Sequence, residues 1–407
     1  MKAMSTKKDL VAAALVASAM LLAGCHGSTD SRGDSTAPTV VISSTHSSPT
    51  TDLTAIPVRI TFSEGVTGFS LSDVTVDKGT PGNFKAVSAT EYTFDLTITG
   101  NGHPTVDVAA DVAQDEAGNN NTAAARYTHQ VSGADGSDVT IDGSVYVLVP
   151  RSTLPDGTTV VPAFYCGKYP ATAGPVNNTG PYYTNDGTYN ISEISANRQA
   201  ATTATGHPWV FITQDQARAA CTAAGCTLIT ENQWLSIAHQ ALGLATNWRG
   251  GVIGSTEASG GGFYRGLYLP GLPKAQPASG GDAGSTPDAS SLTYRVKVLP
   301  NNAQIWDIGG NVLQWVDLTT SASSYTGTAI SGAWFETNSA SLTNLNIKTP
   351  YANSQGVGEI YINVATDLCG FMRGLSWTFS EAGAFGLYLG LPDMNSNRDI
   401  GFRCTRP

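Results

Sequence analysis

Residues 373–403 read RGLSWTFSEAGAFGLYLGLPDMNSNRDIGFR, and this stretch decides how the C-terminal part of the chain is interpreted. Its front, residues 373–377, joins a guanidinium to a large aromatic ring, as in a buried anchor. Its end, residues 400–404, reads as a short core strand. The middle has no helical period, and only residues 385–389 alternate as in a strand. A loop held between two rigid ends is typical of a binding surface; the alternative is an ordinary terminal hairpin with a loop.

The composition indicates a chain of several domains rich in β structure. The 407 residues are 41% hydrophobic and 13% charged, with 44 glycines, and the net charge is -10. This length suits two or three domains. The acidic balance serves solubility and argues against binding to nucleic acid.

The N-terminus reads as a targeting segment. Three lysines precede a short apolar run at residues 10–22. Because this run is too short to cross a bilayer, residues 1–24 are predicted to be a signal peptide. Residues 26–38 are almost free of apolar side chains and are expected to form a flexible tether.

The signal peptide ends in Leu-Ala-Gly-Cys at residues 22–25, which resembles the lipobox of bacterial lipoproteins. The resemblance implies cleavage before Cys25 and acylation of its thiol, so that residues 25–38 tether the protein to a membrane. Because His26 follows the cysteine, the resemblance favours the outer membrane. The alternative is plain secretory cleavage near Ala23 with Cys25 free.

Residues 39–131 carry short β-branched runs separated by Gly, Pro, Asn and Asp, which predicts a β-sandwich. Within this segment, APTV at 37–40, ITFSEGVTGF at 60–69 and DEAGN at 115–119 resemble the bacterial Ig-like domains. The resemblance implies a spacer or adhesive module without chemistry of its own.

Three aspartates of this segment, Asp73, Asp107 and Asp115, raise the question of calcium. Carboxylates gathered at one end of a sandwich can bind Ca²⁺. Scattered aspartates in loops also serve as turn formers. No cofactor is therefore predicted, and calcium is kept as the alternative.

Residues 132–137 read as a Gly/Ser/Asp linker to a last unit at residues 138–407. A hairpin is predicted at its start, with Pro-Asp-Gly as the turn at 155–157. Two helices follow, each opened by a capping box, Thr213 with Gln216 and Thr230 with Gln233.

The last unit carries six ordered motifs, which resemble the formylglycine-generating-enzyme (sulfatase-modifying-factor) family, a variant of the C-type lectin fold. The motifs are FYCGKYP at 164–170, the helix at 213–221, LITENQW at 228–234, WDIGGNVLQW at 306–315, RGLSW at 373–377 and GFRC at 401–404. The expected architecture is therefore an all-β Ig-like sandwich followed by an α+β C-type-lectin-like domain of the formylglycine-generating-enzyme type.

The chemistry of this family is not carried over. Its oxidases hold copper with two cysteines, because a soft ion needs thiolates. The matching positions here lie near Phe379 and Ala384, and no cysteine occurs between Trp377 and Cys404. Gln314 replaces a glutamate of the family, which weakens calcium binding at that turn. An oxidase-like enzyme of the formylglycine-generating family with a non-standard active site is kept as the alternative function.

One branch of the fold matches residues 373–403 better. RGLSW at 373–377, AGAF at 382–385 and IGFR at 400–403 resemble the variable region of proteins diversified by bacterial diversity-generating retroelements. The resemblance implies a diversifiable recognition surface without catalysis. Its candidate residues are Leu375, which stands where the group usually has Gly, and Thr378, Phe379, Glu381, Tyr388, Gly390, Asp393, Asn395, Asn397, Arg398 and Asp399.

The predicted function is that of a surface-displayed lipoprotein of the outer membrane that binds a macromolecular ligand. The ligand is expected to be a protein on another cell, a phage or a host. A structural envelope protein whose terminal loop binds nothing is the third hypothesis.

Five cysteines follow Cys25 in the chain, and an odd number leaves one free. The family resemblance pairs Cys221 with Cys404. It assigns no partner to Cys166, Cys226 or Cys369. A zinc site is disfavoured, because Cys221 and Cys226 have an unsuitable spacing and no histidine pair nearby.

Overall fold

The computed structural model describes residues 33–51, 53, 55–173, 199–204, 208–267, 295–320, 333–362, 369–389 and 397–407. The predicted signal peptide, the lipidation site Cys25 and most of the tether lie outside the described residues. Within the described ranges, each helix is too short or too polar to cross a membrane.

Seven antiparallel strands form the N-terminal sandwich, as the alternating pattern predicts. One sheet has the order β1-β2-β5-β4 and the other β3-β6-β7. The strands are β1 (Val40–Ser44), β2 (Ile56–Phe62), β3 (Val74–Asp77), β4 (Gly79–Ala86), β5 (Glu91–Ile98), β6 (Thr105–Val108) and β7 (Tyr127–Thr128). Every second residue of β2 and β5 is buried, so the two sheets enclose one apolar core.

The remaining strands build the C-terminal unit, residues 138–407. They are β8 (Val139–Ile141), β9 (Ser144–Val149), β10 (Ser152–Thr153), β11 (Val160–Val161), β12 (Phe164–Gly167), β13 (Thr172–Ala173), β14 (Ala200–Ala201), β15 (Thr227–Leu228), β16 (Val296–Val298), β17 (Gln304–Trp306), β18 (Leu313–Thr320), β19 (Ala333–Glu336), β20 (Glu359–Ile362), β21 (Cys369–Arg373), β22 (Leu387–Leu389), β23 (Ile400–Phe402) and β24 (Cys404–Arg406). The two larger sheets have the orders β15-β24-β12-β9-β8 and β19-β20-β22-β21-β18-β23.

Two α-helices occur in the described part of the chain, α1 (Gln214–Ala223) and α2 (Glu231–Leu242). Both begin with the predicted capping boxes. The hydroxyl of Thr213 accepts from the Gln216 amide, and that of Thr230 from the Gln233 amide. These predictions are confirmed. A capping box can be predicted from the sequence because it involves only residues within one turn.

The six-stranded sheet separates two apolar clusters. The cluster on the α2 side contains Ile360, Leu387 and Phe371, and the cluster on the α1 side contains Trp315 and Met372. Since successive side chains of a strand point to opposite faces, the strands β18, β21 and β22 contribute to both clusters.

The segment that joins the two units is packed against the C-terminal unit. The Tyr165 hydroxyl donates to the Ser132 carbonyl at 2.9 Å. Gly136 has φ 89°, and a Cβ there would lie 2.3 Å from the Asn301 carbonyl oxygen. Residues 132–137, predicted as a linker, therefore make specific contacts with the C-terminal unit. Position 136 requires glycine, because any larger residue would clash there.

Candidate binding face

One row of side chains crosses the whole six-stranded sheet on the α1 side. The register pairs Trp334 with Tyr361, Tyr361 with Tyr388, Tyr388 with Met372, Met372 with Trp315, and Trp315 with Phe402. Paired residues project from the same face, so five aromatic rings and one thioether follow each other across the strands.

The row passes from the core to the surface. Trp315, Met372 and Phe402 are buried, whereas Tyr388 and Tyr361 are half-buried and Trp334 is 37% exposed. Within the described residues, α1 packs on the buried end of the row, and the end formed by β22, β20 and β19 stays open to solvent. The sheet therefore presents aromatic surface on a rigid scaffold.

Four rings form the exposed part, and we call them the aromatic cluster: Trp334, Tyr361, Tyr388 and Phe379. The Tyr361 and Tyr388 rings are stacked with centroids 4.7 Å apart. The Phe379 centroid lies 5.9 Å from both Trp334 and Tyr388. Burial raises the pKa of the Tyr388 hydroxyl, and the nearby Tyr361 and Asp399 raise it further.

A buried anchor holds the front of the loop that carries Phe379. The Arg373 guanidinium forms an ion pair with Glu231, the first residue of α2, and donates to the Phe385 carbonyl at 3.1 Å. The Trp377 amide donates to the Asn311 carbonyl at 3.1 Å, and its ring is buried. These bonds tie both sides of the loop to the sheet and to α2.

A second buried arginine holds the rear of the stretch. Arg403 Nε donates to Gln314 Oε1 at 3.0 Å, and its other nitrogens donate to the carbonyls of Gly167 and Trp306. Gln314 Nε2 in turn donates to the Asp307 carbonyl at 2.6 Å. The predicted anchor at residues 373–377 and the predicted core strand at residues 400–404 are both buried, and each contains a hydrogen-bonded arginine.

Three glutamates lie beside the aromatic cluster, and we call them the carboxylate group: Glu336, Glu359 and Glu381. Glu336 and Glu359 stand opposite each other in the β19–β20 register. The Glu359 amide donates to the Glu381 carbonyl at 3.2 Å. Burial raises the pKa of the Glu359 carboxyl, and the charges of Glu336 and Glu381 raise it further against a hydrogen bond from Asn353.

Arg265 clamps the loops beneath this face. Its guanidinium forms a bidentate ion pair with Glu257 and donates to Asn353 Oδ1 at 2.5 Å. It also donates to the carbonyls of Ser380 at 2.9 Å and Ala382 at 3.3 Å. One side chain thereby links the loops of Glu257 and Asn353 to the turn after Phe379.

Of the eleven predicted surface residues, six lie at the surface, three lie outside the described residues and two are buried. Thr378, Asn397 and Arg398 are exposed, and Phe379, Glu381 and Tyr388 are half-buried at the surface. Gly390, Asp393 and Asn395 lie outside the described residues.

Two of the predicted surface residues need correction. Leu375 is fully buried in the α1-side cluster, because its positive φ of 55° turns the side chain inward. Asp399 is 8% exposed and accepts from the Ser376 hydroxyl at 2.8 Å, so it supports the loop from beneath.

The sequence interpretation missed Trp334 and Tyr361, and with them Glu336 and Glu359. A signal was present: β19 reads AWFE and β20 reads EIYI, each with an aromatic ring and a glutamate two positions apart. Spacing by two places both side chains on one face of a strand. That these strands adjoin residues 373–403 is visible only in the sheet.

The cysteines of the predicted pair approach each other, with a third beside them. Cys221 Sγ and Cys404 Sγ lie 3.0 Å apart, and the sulfurs of Cys221, Cys226 and Cys404 lie within 4.8 Å of one another. Hydrogen bonds from the other two thiols lower the pKa of Cys226 to about 4. Burial raises the pKa of Cys221 and of Cys404. The disulfide stays a prediction.

The aspartates considered for calcium have other contacts. Asp73 accepts from the Ser70 amide at 2.8 Å, and Asp107 pairs with Arg126 at 3.0 Å. Asp115 lies instead with Asp34 and Glu64, their oxygens within 4.8 Å of one another. A hydrogen bond from the Asn119 amide group lowers the pKa of Asp115.

Comparison with known proteins identifies one part of the chain. Residues 34–134 match the family model of the bacterial Ig-like domain. No curated protein matches the chain.

Three solved structures of a major tropism determinant are similar to the chain. The P3c variant is 12% identical with a TM-score of 0.24. The I1 and M1 variants are each 14% identical, with TM-scores of 0.22 and 0.24. Each alignment covers 76% of this chain and 82% of the other. TM-scores this low do not establish a shared fold, so the firm identification is the bacterial Ig-like domain at residues 34–134.

Proposed function

We propose that the C-terminal unit binds a macromolecular ligand, a protein, through the aromatic cluster, and that it does so without catalysis. The observation that carries this proposal is the cross-strand row whose outer end, Trp334, Tyr361 and Tyr388, is open to solvent. Aromatic side chains dominate the energetics of protein interfaces, because each buries a large area at little cost in conformational entropy.

Rigidity supports binding at this face. Three of the four rings project from strands of one sheet, and the fourth lies on a loop held by Arg373 and Arg265. A surface that is ordered before binding loses less conformational entropy when a partner docks.

The test is a selection from a library of random 12-residue peptides displayed on phage, with the full-length protein as the target. We expect selected peptides to lose at least about tenfold in affinity when Trp334→Ala and Tyr388→Ala are combined, since central aromatic residues contribute most to binding. Leu345→Ala is the matched control. Leu345 is 56% exposed next to Asn346, whose carbonyl contacts His239 of α2 on the opposite side of the sheet.

Circular dichroism must show that the double variant stays folded. Peptides whose affinity is indifferent to Trp334 and Tyr388 would refute the proposal.

We further propose that the C-terminal unit has the C-type lectin fold and that residues 373–403 are exchanged by a diversity-generating retroelement. The proposal rests on the terminal motifs and on the place of Thr378, Phe379 and Tyr388 at the surface. Sequencing of the neighbouring DNA tests it. We expect a near-copy of the last coding segment that differs mainly at adenines, beside a reverse-transcriptase gene; its absence would refute exchange and leave the binding proposal intact.

We also propose that Cys25 is acylated and anchors the protein in the outer membrane, with the Ig-like domain as a spacer. The support is the Leu-Ala-Gly-Cys sequence at residues 22–25. Metabolic labelling with an alkynyl fatty acid should mark the wild type and not Cys25→Ser. Equal labelling of both proteins would overturn the proposal.

A further inference from the structure

We infer that the segment of the ligand that docks on the aromatic cluster is cationic, a stretch of protein bearing lysine or arginine. This inference rests on the proposed function and names the chemistry of the partner. It follows from the position of the carboxylate group on the same face as the rings.

The strand register places rings and carboxylates together. Trp334 and Glu336 are two residues apart in β19, and Tyr361 and Glu359 are two residues apart in β20. Residues spaced by two point to one face, so the pair Glu336–Glu359 lies beside the pair Trp334–Tyr361 at about 7 Å along the strands.

The loop after Trp377 follows the same direction. The Phe379 ring contacts Trp334 at the aromatic end, and the Glu381 carbonyl accepts from Glu359 at the carboxylate end. The charge of Glu381 also raises the pKa of Glu359, so a third carboxylate lies near the other two. The arrangement combines four rings with three negative charges.

Like charges directly opposite each other in a sheet are unfavourable, so this arrangement is costly for the protein alone. Each glutamate has hydrogen-bond donors: Asn353 donates to Glu336 and Glu359, and Ser380 donates to Glu381. In the described part of the chain, however, none of the three carboxylates forms an ion pair within 4.0 Å.

Two arginines near this face do not neutralise it. The Arg265 guanidinium lowers the pKa of Glu359, but its nitrogens are bonded to Glu257, to Asn353 and to loop carbonyls. Arg398 is exposed and acts on Asp399, at the Tyr388 end of the cluster. The carboxylate group therefore keeps an excess of negative charge.

A cationic side chain satisfies both parts of the face. Its charge offsets the repulsion among Glu336, Glu359 and Glu381, and a guanidinium or ammonium also interacts favourably with aromatic rings. An acidic segment would contact the rings but would be repelled by the carboxylates beside them. A purely apolar segment would contact the rings but would leave those carboxylates unpaired.

The experiment uses the peptides selected on the full-length protein. We expect them to be enriched in lysine and arginine relative to the starting library. We expect Glu336→Gln combined with Glu359→Gln to weaken their binding about tenfold in calorimetry and to reduce its dependence on salt. Asp111→Asn combined with Glu116→Gln, two exposed acidic positions of the Ig-like domain, removes the same charge and should leave binding unchanged.

The outcomes separate this inference from the proposed function. Peptides that depend on Trp334 and Tyr388 but show no excess of basic residues, or that bind the Gln variant as tightly as the wild type, overturn the inference alone. Peptides that depend on neither ring overturn both. Basic peptides sensitive to both double substitutions support both.

Discussion

At the scale of single residues, buried arginines fix the C-terminal stretch. Arg373 and Arg403 are both fully buried, and each donates to backbone carbonyls of other segments. An arginine suits this place because its planar group offers five donors in a fixed geometry. Removing one partner leaves the others buried and unpaired, which makes these positions sensitive to substitution.

We predict that Arg373→Met lowers the free energy of unfolding by about 3–5 kcal/mol, because Glu231 would keep a buried charge without its partner. Urea unfolding followed by tryptophan fluorescence measures this, since all seven tryptophans lie in the C-terminal unit. Arg218→Ala, which breaks only partly exposed ion pairs with Asp215 and Asp317, should cost less than about 1 kcal/mol. Equal effects of the two substitutions would contradict the anchor role.

A second residue-scale prediction concerns the cysteines. Under oxidising conditions we expect a disulfide between Cys221 and Cys404, which would staple α1 to the last strand. Non-reducing peptide mapping by mass spectrometry detects it. Because Cys226 lies in the same group of sulfurs, Cys221→Ser should shift the bridge to Cys226, whereas Cys226→Ser should leave it in place. Fully alkylated Cys404 in the oxidised wild type would show that no bridge forms.

At the scale of elements, the β19–β20 pair sets the character of the face. On the face that carries the aromatic cluster, this pair of strands places Trp334 opposite Tyr361 and Glu336 opposite Glu359. The aromatic pair extends the row that begins in the core, so its position is fixed by the packing of the whole sheet. The Glu336–Glu359 pair is not stabilised by that packing, and the two glutamates stand opposite each other because the adjacent aromatic pair sets the register.

We predict that Glu336→Gln raises the free energy of unfolding by about 0.5 kcal/mol at neutral pH, because it removes a like charge opposite Glu359. The folded-state pKa of Glu359 is raised, so its stabilising contribution is present at low pH and is lost as pH rises through that value. The difference between variant and wild type should therefore shrink as pH falls. Urea titrations at several pH values check this; a gain independent of pH would refute the repulsion.

At the scale of the whole molecule, the Ig-like domain and the C-terminal unit share a packed junction. Leu53 and Ile98 of the sandwich pack with Tyr146, Leu148 and Tyr165 of the C-terminal unit. The connection is thus short and made of apolar contacts and backbone hydrogen bonds. Such a junction restricts the relative orientation of the two units more than a free Gly/Ser linker would.

We predict that Gly136→Ala loosens this junction, because the new Cβ would meet the Asn301 carbonyl and the positive φ disfavours alanine. Hydrogen exchange should increase around residues 131–139, while tryptophan fluorescence shows the C-terminal unit still folded. Gly143→Ala is the matched control, since it has φ 77° and no atom within 4 Å of the added Cβ. Identical exchange in both variants would argue against a packed junction.

Local patterns were predicted from the residues themselves, whereas the approach of the distant Cys221 and Cys404 was implied only by the family resemblance. The capping boxes at Thr213 and Thr230 and the sandwich strands depend on nearby residues, and they are confirmed. Phe379 and Tyr388 are among the predicted surface residues because they lie within residues 373–403. Tyr361 was missed because a parallel pairing with β22 brings it there, and no local signal encodes that register.

Leu375 shows the opposite error. Position in a loop suggested exposure, but a left-handed backbone conformation directs the side chain into the core. A single sequence does not specify that conformation for leucine, which rarely adopts it.

The cross-strand row draws its outer rings from two sources. Tyr388 lies within residues 373–403, whereas Trp334 and Tyr361 come from strands that precede this stretch. Under the proposed exchange, related proteins would keep Trp334 and Tyr361 and would differ at Tyr388. Such proteins would share the ligand preference set by the constant rings and would differ in the contribution of the exchanged residues. Selection could then change the affinity while the constant aromatic contacts are retained.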